Sequence, residues 1–228
     1  RMNEYHSENG RIHLFNMDCM EYMAQFPDNY FELAIVDPPY GINAPRVDGG
    51  KTGKKRLNNG GGKLKNRILN NASCNWDSSI PDDVFFIELM RVSKNQIIWG
   101  GNYFDLPPTR CVIAWDKCQP WENFSQFELA WTSFDKPAPL FKFDNRTGGK
   151  IHPTQKPIEL YEWVLSRFAN DGDKILDTHL GSASSAIAAH RMGFEFFGTE
   201  LDSDYFNASI ARFERETAQL DMFAEVAE

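Results

Sequence analysis

The stretch Phe31-Glu-Leu-Ala-Ile-Val-Asp-Pro-Pro-Tyr40 constrains this chain more than any other. A short apolar run, Leu33 to Val36, stops abruptly at Asp37, Pro38, Pro39 and Tyr40. Such a run closed by turn residues predicts a buried strand. Two prolines cannot extend a ladder, so Asp37 falls at the strand's carboxyl end. In open α/β sheets that edge is where ligands bind. A carboxylate and proline carbonyls accept hydrogen bonds, and prolines have no N–H to donate. The guest that suits this corner is a group with two hydrogens to give, such as an exocyclic NH2, and Tyr40 adds a flat face for a ring. An amino group on an aromatic ring is a poor nucleophile because its lone pair is delocalised. Acceptors on both hydrogens draw that nitrogen towards a tetrahedral shape and stabilise the positive charge that develops as it attacks.

The 228 residues suffice for one well-buried α/β domain. No apolar run approaches the roughly 20 residues of a membrane span. There is no secretory signal pattern, and Arg1 ahead of Met2 reads as a vector-derived remnant. Cys19, Cys74, Cys111 and Cys118 show no CxxC spacing, and no histidine lies at ligand spacing from them. They read as free thiols of a cytoplasmic protein, with no metal site. The net charge is −8, yet its distribution matters more than its sum. Arg46, Lys51, Lys54, Lys55, Arg56, Lys63, Lys65 and Arg67 stand against the single acid Asp48. A basic segment on an acidic body predicts a phosphate contact.

Taken in order, residues 11–18 predict a strand and 19–26 a short helix, with Asp18 placed to cap it. Residues 42–79 have no periodic pattern, with glycines set among lysines and asparagines, and read as an insertion that contacts DNA. Residues 81–93 predict a helix, and 95–101, 111–117, 127–134 and 140–143 predict strands. Trp99, Trp115 and Trp131 lie in apolar strands and read as core, whereas Trp121 and Phe124 fall in a loop that suits contact with DNA. His152-Pro153-Thr154-Gln155-Lys156-Pro157 precedes an amphipathic helix to about Ala169. In this run Thr154 and Lys156 are placed to hold a carboxylate near a helix start. Residues 174–180 predict a strand and 182–191 a helix. The corner Asp177-Thr-His-Leu-Gly-Ser-Ala-Ser184 between them suits a nucleoside, although it is not GxGxxG. Glu200 ends the next strand, 195–202, where an acid is placed to bond two ribose hydroxyls. A last helix is predicted over residues 203–218, with 219–228 as a tail.

Asp37-Pro38-Pro39-Tyr40 resembles the catalytic tetrapeptide of S-adenosylmethionine-dependent amino-methyltransferases, most often acting on adenine N6 in DNA. His152 to Pro157 resembles the run that precedes the cofactor strand in the permuted, β-group class of DNA amino-methyltransferases. The order of the motifs, catalytic half first and cofactor loop last, matches that class. The resemblance spans roughly residues 11–40 and 95–215. It implies a Rossmann-like methyltransferase fold, a seven-stranded, mostly parallel sheet with one antiparallel strand and helices on both faces. It implies catalytic roles for Asp37, Pro38, Pro39 and Tyr40. Cofactor contacts are implied for Asp18, Cys19, Asp37, His152, Thr154, Lys156, Asp177, His179, Gly181, Ser182, Glu200 and Leu201. The usual family corner is closer to Asp-Pro-Phe-x-Gly-Ser-Gly. Here His179 replaces its aromatic residue, and Ala183 stands where glycine is usual. The expected activity is adenine-N6 methylation of DNA. The alternatives are cytosine-N4 methylation, RNA-base methylation and a silent DNA- or clamp-binding module. Gln219-Leu-Asp-Met-Phe223 resembles peptides that dock into the bacterial sliding clamp. Almost no room remains between Phe143 and His152 for the separate target-recognition region of larger relatives. Recognition then falls to residues 42–75, specificity is lax, or a second subunit helps, as in a homodimer.

Overall fold

The computed structural model describes residues 3–41, 80–119, 125–144 and 155–224. In chain order the strands are β1 (Glu4–His6), β2 (Ile12–Phe15), β3 (Phe31–Val36), β4 (Ser93–Trp99), β5 (Val112–Asp116), β6 (Phe127–Thr132), β7 (Leu140–Lys142), β8 (Lys174–Asp177) and β9 (Glu195–Thr199). The helices are α1 (Cys19–Met23), α2 (Asp83–Val92), α3 (Ile158–Phe168), α4 (Ser184–Arg191) and α5 (Ser203–Ala224). One sheet takes all nine strands in the order β1-β2-β9-β8-β3-β4-β6-β5-β7.

The expected seven strands lie in the middle of this sheet, and the count is corrected to nine at its edges. Strand β1, which the sequence pattern did not mark, pairs antiparallel with β2, and β7 pairs parallel with β5. Among the inner seven, only β6 runs against its neighbours β4 and β5. The expected Rossmann-like fold is therefore present.

Successive side chains of a strand point to opposite faces, so a strand buried on both sides serves two cores. Leu33 and Ile35 of β3 pack with α3, α4 and α5, in a core that also holds Trp99, Trp115, Phe206 and Phe213. Ala34 and Val36 face the other way, with Phe85, Phe86 and Leu89 of α2 and with Tyr22 and Met23 of α1. Trp99 and Trp115 are core residues, as expected, while Trp131 is only partly buried and donates from Nε1 to the Pro107 carbonyl at 2.6 Å. Helix α2 begins where Asp82 accepts from the Phe85 N–H at 3.2 Å. The backbone of α5 continues through Ala224, past the predicted end at residue 218. No glycine or proline interrupts residues 203–224 to stop it.

Strands β3 and β8 are some 140 positions apart in sequence, yet they pair in parallel, with Leu33 opposite Ile175 and Ala34 opposite Leu176. Their carboxyl ends therefore emerge side by side. This pairing brings the Asp37 corner and the Asp177 corner to one edge of the sheet.

Candidate active site

Asp37 follows the last residue of β3, and both of its oxygens are engaged. Oδ1 accepts from the Tyr40 hydroxyl at 2.5 Å, and Oδ2 lies 2.6 Å from the Lys156 ammonium. Burial, and then the charge of Asp37, push the Tyr40 phenol well above its ordinary range, so it remains a donor. The Lys156 side chain is only 2% exposed. Burial pulls its ammonium down, but Asp37 and Glu128 outweigh that and hold it above the usual lysine range. Lys156 therefore stays charged inside the protein. It lies 3.2 Å from the Tyr40 hydroxyl and 5.3 Å from the centre of the Trp99 ring.

The Tyr40 ring lies against Tyr103, centroid to centroid 5.0 Å, with the planes 13° apart. Gly100 makes room for the Tyr40 ring. Its φ is +71°, and a Cβ there would lie 2.2 Å from Tyr40 Cε1. Tyr103 is 42% exposed and sits on the one-turn segment Gly101–Tyr103 directly after β4. No periodic signal marked it. The Gly100-Gly101 pair was the available clue, because glycines at a strand end permit a close approach.

The second corner follows β8. Asp177 accepts from Ser185 Oγ at 2.6 Å and from the His179 N–H at 3.0 Å, and burial pushes its carboxyl up to about 6. His179 packs edge-on against Phe85 at 5.4 Å, and burial lowers its imidazole to about 4. A neutral ring in aromatic contact fits its reading as a replacement for an aromatic residue. Ala183 caps α4 at φ +61°. A residue with a Cβ in that conformation costs about 1–2 kcal/mol, which is the physical reason glycine is usual at this place. Arg212 of α5 is buried and donates to the Ser182 carbonyl at 2.6 Å and to Ser184 Oγ at 2.8 Å. Ser184 Oγ in turn donates to the Lys156 carbonyl at 2.7 Å, so the β8 corner and the Lys156 backbone are tied together.

At the end of β9, Glu200 accepts from the Gly181 N–H and from the Asp202 N–H, each at 3.0 Å. Burial pushes its carboxyl up to about 7. Asn16, another residue without a sequence signal, donates to the Glu200 and Leu201 carbonyls at 2.7 and 3.1 Å and pins β2 to this loop. Leu201 is 70% exposed beside them. Asp18 caps α1, accepting from the Met20 and Glu21 N–H groups at 2.8 and 3.2 Å. Burial pushes the Cys19 thiol up to about 12, which removes it as a nucleophile at neutral pH.

The structure thus brings Asp37, Tyr40, Lys156, Asp177, His179, Gly181, Ser182, Glu200 and Leu201 to one end of the sheet. His152, Thr154, Trp121, Phe124 and the eight basic residues from Arg46 to Arg67 lie outside the described residues, as do the side chains of Gln219–Phe223. Among the described residues no cluster of three or more potential metal ligands occurs, and no helix is long and apolar enough to cross a membrane.

The chain is similar to known proteins in sequence and in fold. The chain is 28% identical over 150 residues to the type II methyltransferase M2.DpnII of Streptococcus pneumoniae, and the match covers 66% of this chain and 52% of that protein. The chain thus spans about half the length of that relative. It is 21% identical over 264 residues to the type II methyltransferase M2.MboI of Moraxella bovis, covering 95% and 92% of the two. Among solved structures, the M1.HpyAVI–SAM complex superposes with a TM-score of 0.53 at 17% identity, covering 87% of this chain and 97% of that one. The cytosine-N4-specific PvuII DNA methyltransferase superposes with a TM-score of 0.55 at 16% identity, covering 90% and 89%. A family model described as DNA methylase, that of the N6/N4 methyltransferases, matches residues 98–211, half of the chain, beginning after the Asp37 corner. The chain belongs to this DNA methylase family.

Proposed function

We propose that the protein transfers a methyl group from S-adenosylmethionine to the N6 amino group of adenine in DNA. The observation that supports this most directly is the acceptor corner at Asp37. It ends a central strand next to the strand that leads into the nucleoside corner, and Tyr40 stands beside it. The residues present fit an adenosylated cofactor. Glu200 is a partly buried carboxylate fixed by two backbone N–H groups, set beside Gly181 and the exposed Leu201. The cofactor supplies an electrophilic methyl group on a sulfonium.

The chain's own residues then have distinct tasks. Asp37 and the Pro38 carbonyl accept from the amino group, which localises its lone pair for in-line attack. The Tyr40 face, now covered by Tyr103, receives the base once Tyr103 turns aside. Taking the base out of the duplex costs a few kcal/mol, roughly offset by the pocket. Holding nitrogen and methyl in line supplies much of the acceleration. Asp at the first position of the tetrapeptide favours adenine over cytosine. Labelled S-adenosylmethionine and unmethylated duplex DNA, followed by digestion to nucleosides, tests the reading. Label is expected in N6-methyldeoxyadenosine, and label confined to N4-methyldeoxycytidine or absent from every base overturns it.

Cofactor binding should depend on pH through Glu200. An acid pushed up to about 7 in the unliganded fold is largely protonated below that pH. It must lose its proton to accept from both ribose hydroxyls, so binding below pH 7 releases a proton. Affinity is therefore expected to tighten by up to about tenfold per pH unit as pH rises towards 7 and to level off above it. Calorimetry from pH 5.5 to 8.5 checks this, and Glu200→Gln should flatten the curve.

The basic segment is proposed to hold the DNA backbone. Each phosphate left without its cation lowers the slope of log affinity against log salt by about 0.9. Reversing the charges of Lys54, Lys55 and Arg56 together should weaken DNA binding and reduce that slope by about 2–3. A titration series between 50 and 200 mM salt that leaves slope and affinity unchanged would remove the segment from the interface. Docking of Gln219–Phe223 to a sliding clamp rests on its resemblance to clamp-binding peptides.

A further inference from the structure

Glu128 belongs to none of the motifs above, yet it reaches the centre of the site. Strand β6 runs against its neighbours, so its first residues arrive at the edge where β3 and β8 end. Glu128 Oε1 forms an ion pair with Lys117, and Oε2 lies 3.2 Å from the Lys156 ammonium. Oε2 is buried and, among the described residues, has no partner in hydrogen-bonding geometry, although the ammonium is near enough to pair with it by charge. Burial pushes the Glu128 carboxyl up, but Lys156 and then Lys117 overcome this and hold it below the usual carboxylate range. The Lys156 ammonium thus sits between two carboxylates. It lies nearer Asp37, at 2.6 Å, and has a second acceptor with room for a donor.

We propose that Glu128 is a positioning residue for methyl transfer, an alternative seat for Lys156 that draws its charge away from Asp37 when Asp37 engages the target amino group. The proposal rests on the methyltransferase reading above. An ammonium held only by Asp37 would cancel the negative charge that the attacking nitrogen needs beside it, since that nitrogen becomes positive as the N–C bond forms and the S–C electron pair stays on the departing thioether sulfur, until its proton leaves to solvent. With Glu128 opposite, the ammonium turns on its flexible stem and remains neutralised while Asp37 keeps its charge for the amino group. Lys156 itself stays in the site, because its carbonyl is fixed by Ser184.

The test uses the full chain, labelled S-adenosylmethionine and unmethylated duplex DNA. Single-turnover rates at saturating cofactor are compared with cofactor affinities from calorimetry and with thermal melts. Glu128→Gln should slow transfer about 30-fold while the cofactor dissociation constant stays within about threefold, and Glu128→Asp should recover most of the rate. A Glu128→Gln rate within about twofold of wild type overturns the proposal, as does a parallel loss of rate and affinity that Glu128→Asp does not repair. Should Glu128→Gln fail to fold, Glu128→Met takes its place, because it fills a similar volume without the charge. Slower transfer at unchanged affinity supports the proposal, and a wild-type rate refutes it. Transfer by the wild-type chain, measured in the same series, shows separately whether the methyltransferase reading stands.

Discussion

Asp37→Asn is expected to lower the rate of methyl transfer by about 10³-fold while leaving cofactor affinity within a few-fold. Asparagine keeps the shape of the side chain but loses its charge, and one of its two acceptor oxygens becomes a donor. That donor would meet the Tyr40 hydroxyl or the target amino group, both of which need acceptors. Tyr40 then loses its 2.5 Å acceptor and the developing positive nitrogen loses its counter-charge. The fold should survive, because Lys156 retains Glu128 as a partner and the Asp37 side chain is itself 18% exposed. Single-turnover transfer and calorimetric cofactor binding, measured on the same preparation, separate the two effects. A rate within a few-fold of wild type would take Asp37 out of the chemistry.

Lys156→Met is expected to carry the largest stability loss. It removes the cation between Asp37 and Glu128, whose side chains are 18% and 24% exposed, and leaves Glu128 with Lys117 alone. Breaking such a pair from one side costs about 3–5 kcal/mol. For a domain of this length each kcal/mol moves Tm by about 2–4 °C, so a fall of about 10 °C is expected at neutral pH. The deficit should depend on pH in a definite direction. In the wild type, Glu128 is held below its ordinary range, so its contribution is present at neutral pH and fades as pH falls through that depressed value. In the variant only Lys117, of the two cations, is left to oppose burial, so the same carboxyl takes up a proton at higher pH than in the wild type and relieves the cost. The gap in Tm between the two proteins should therefore be widest near pH 7–8 and narrow as pH falls towards about 4.5. Melts across that range check it, and a gap that stays constant with pH would mean that reduced packing, not the missing charge, is responsible. Cofactor binding should weaken in the same variant, since Lys156 stands between the two corners.

The elements that position the site were legible because each left a local mark. The apolar run of β3 ended at two prolines, Pro81 and two acids opened α2, and Gly181 marked the β8 corner. Strand β1 left none, because Glu-Tyr-His is too short and too polar to show a period. It is a strand only because the β2 edge offers a ladder for it. The expected end of α5 falls too early, since the residue types past 218 lack a stop signal and the pentapeptide resemblance sets the boundary instead.

By itself the sequence determined the chemistry that can occur at the Asp37 corner, because a carboxylate followed by two prolines presents acceptors whatever surrounds it. It also marked a corner at Asp177 and Gly181 that suits a nucleoside and an acid at Glu200 beyond it, while the expected cofactor came from the resemblance of two motifs. Only the tertiary structure decided what charge stands beside that corner. Lys156, Glu128 and Lys117 come from separate segments, and Tyr103 follows a different strand from Tyr40. Their meeting depends on β8 inserting next to β3 and on β6 running backwards, so that residues far apart along the chain share one buried space. Electrostatic energy at such a place depends on distance and burial, and neither quantity is written in residue order.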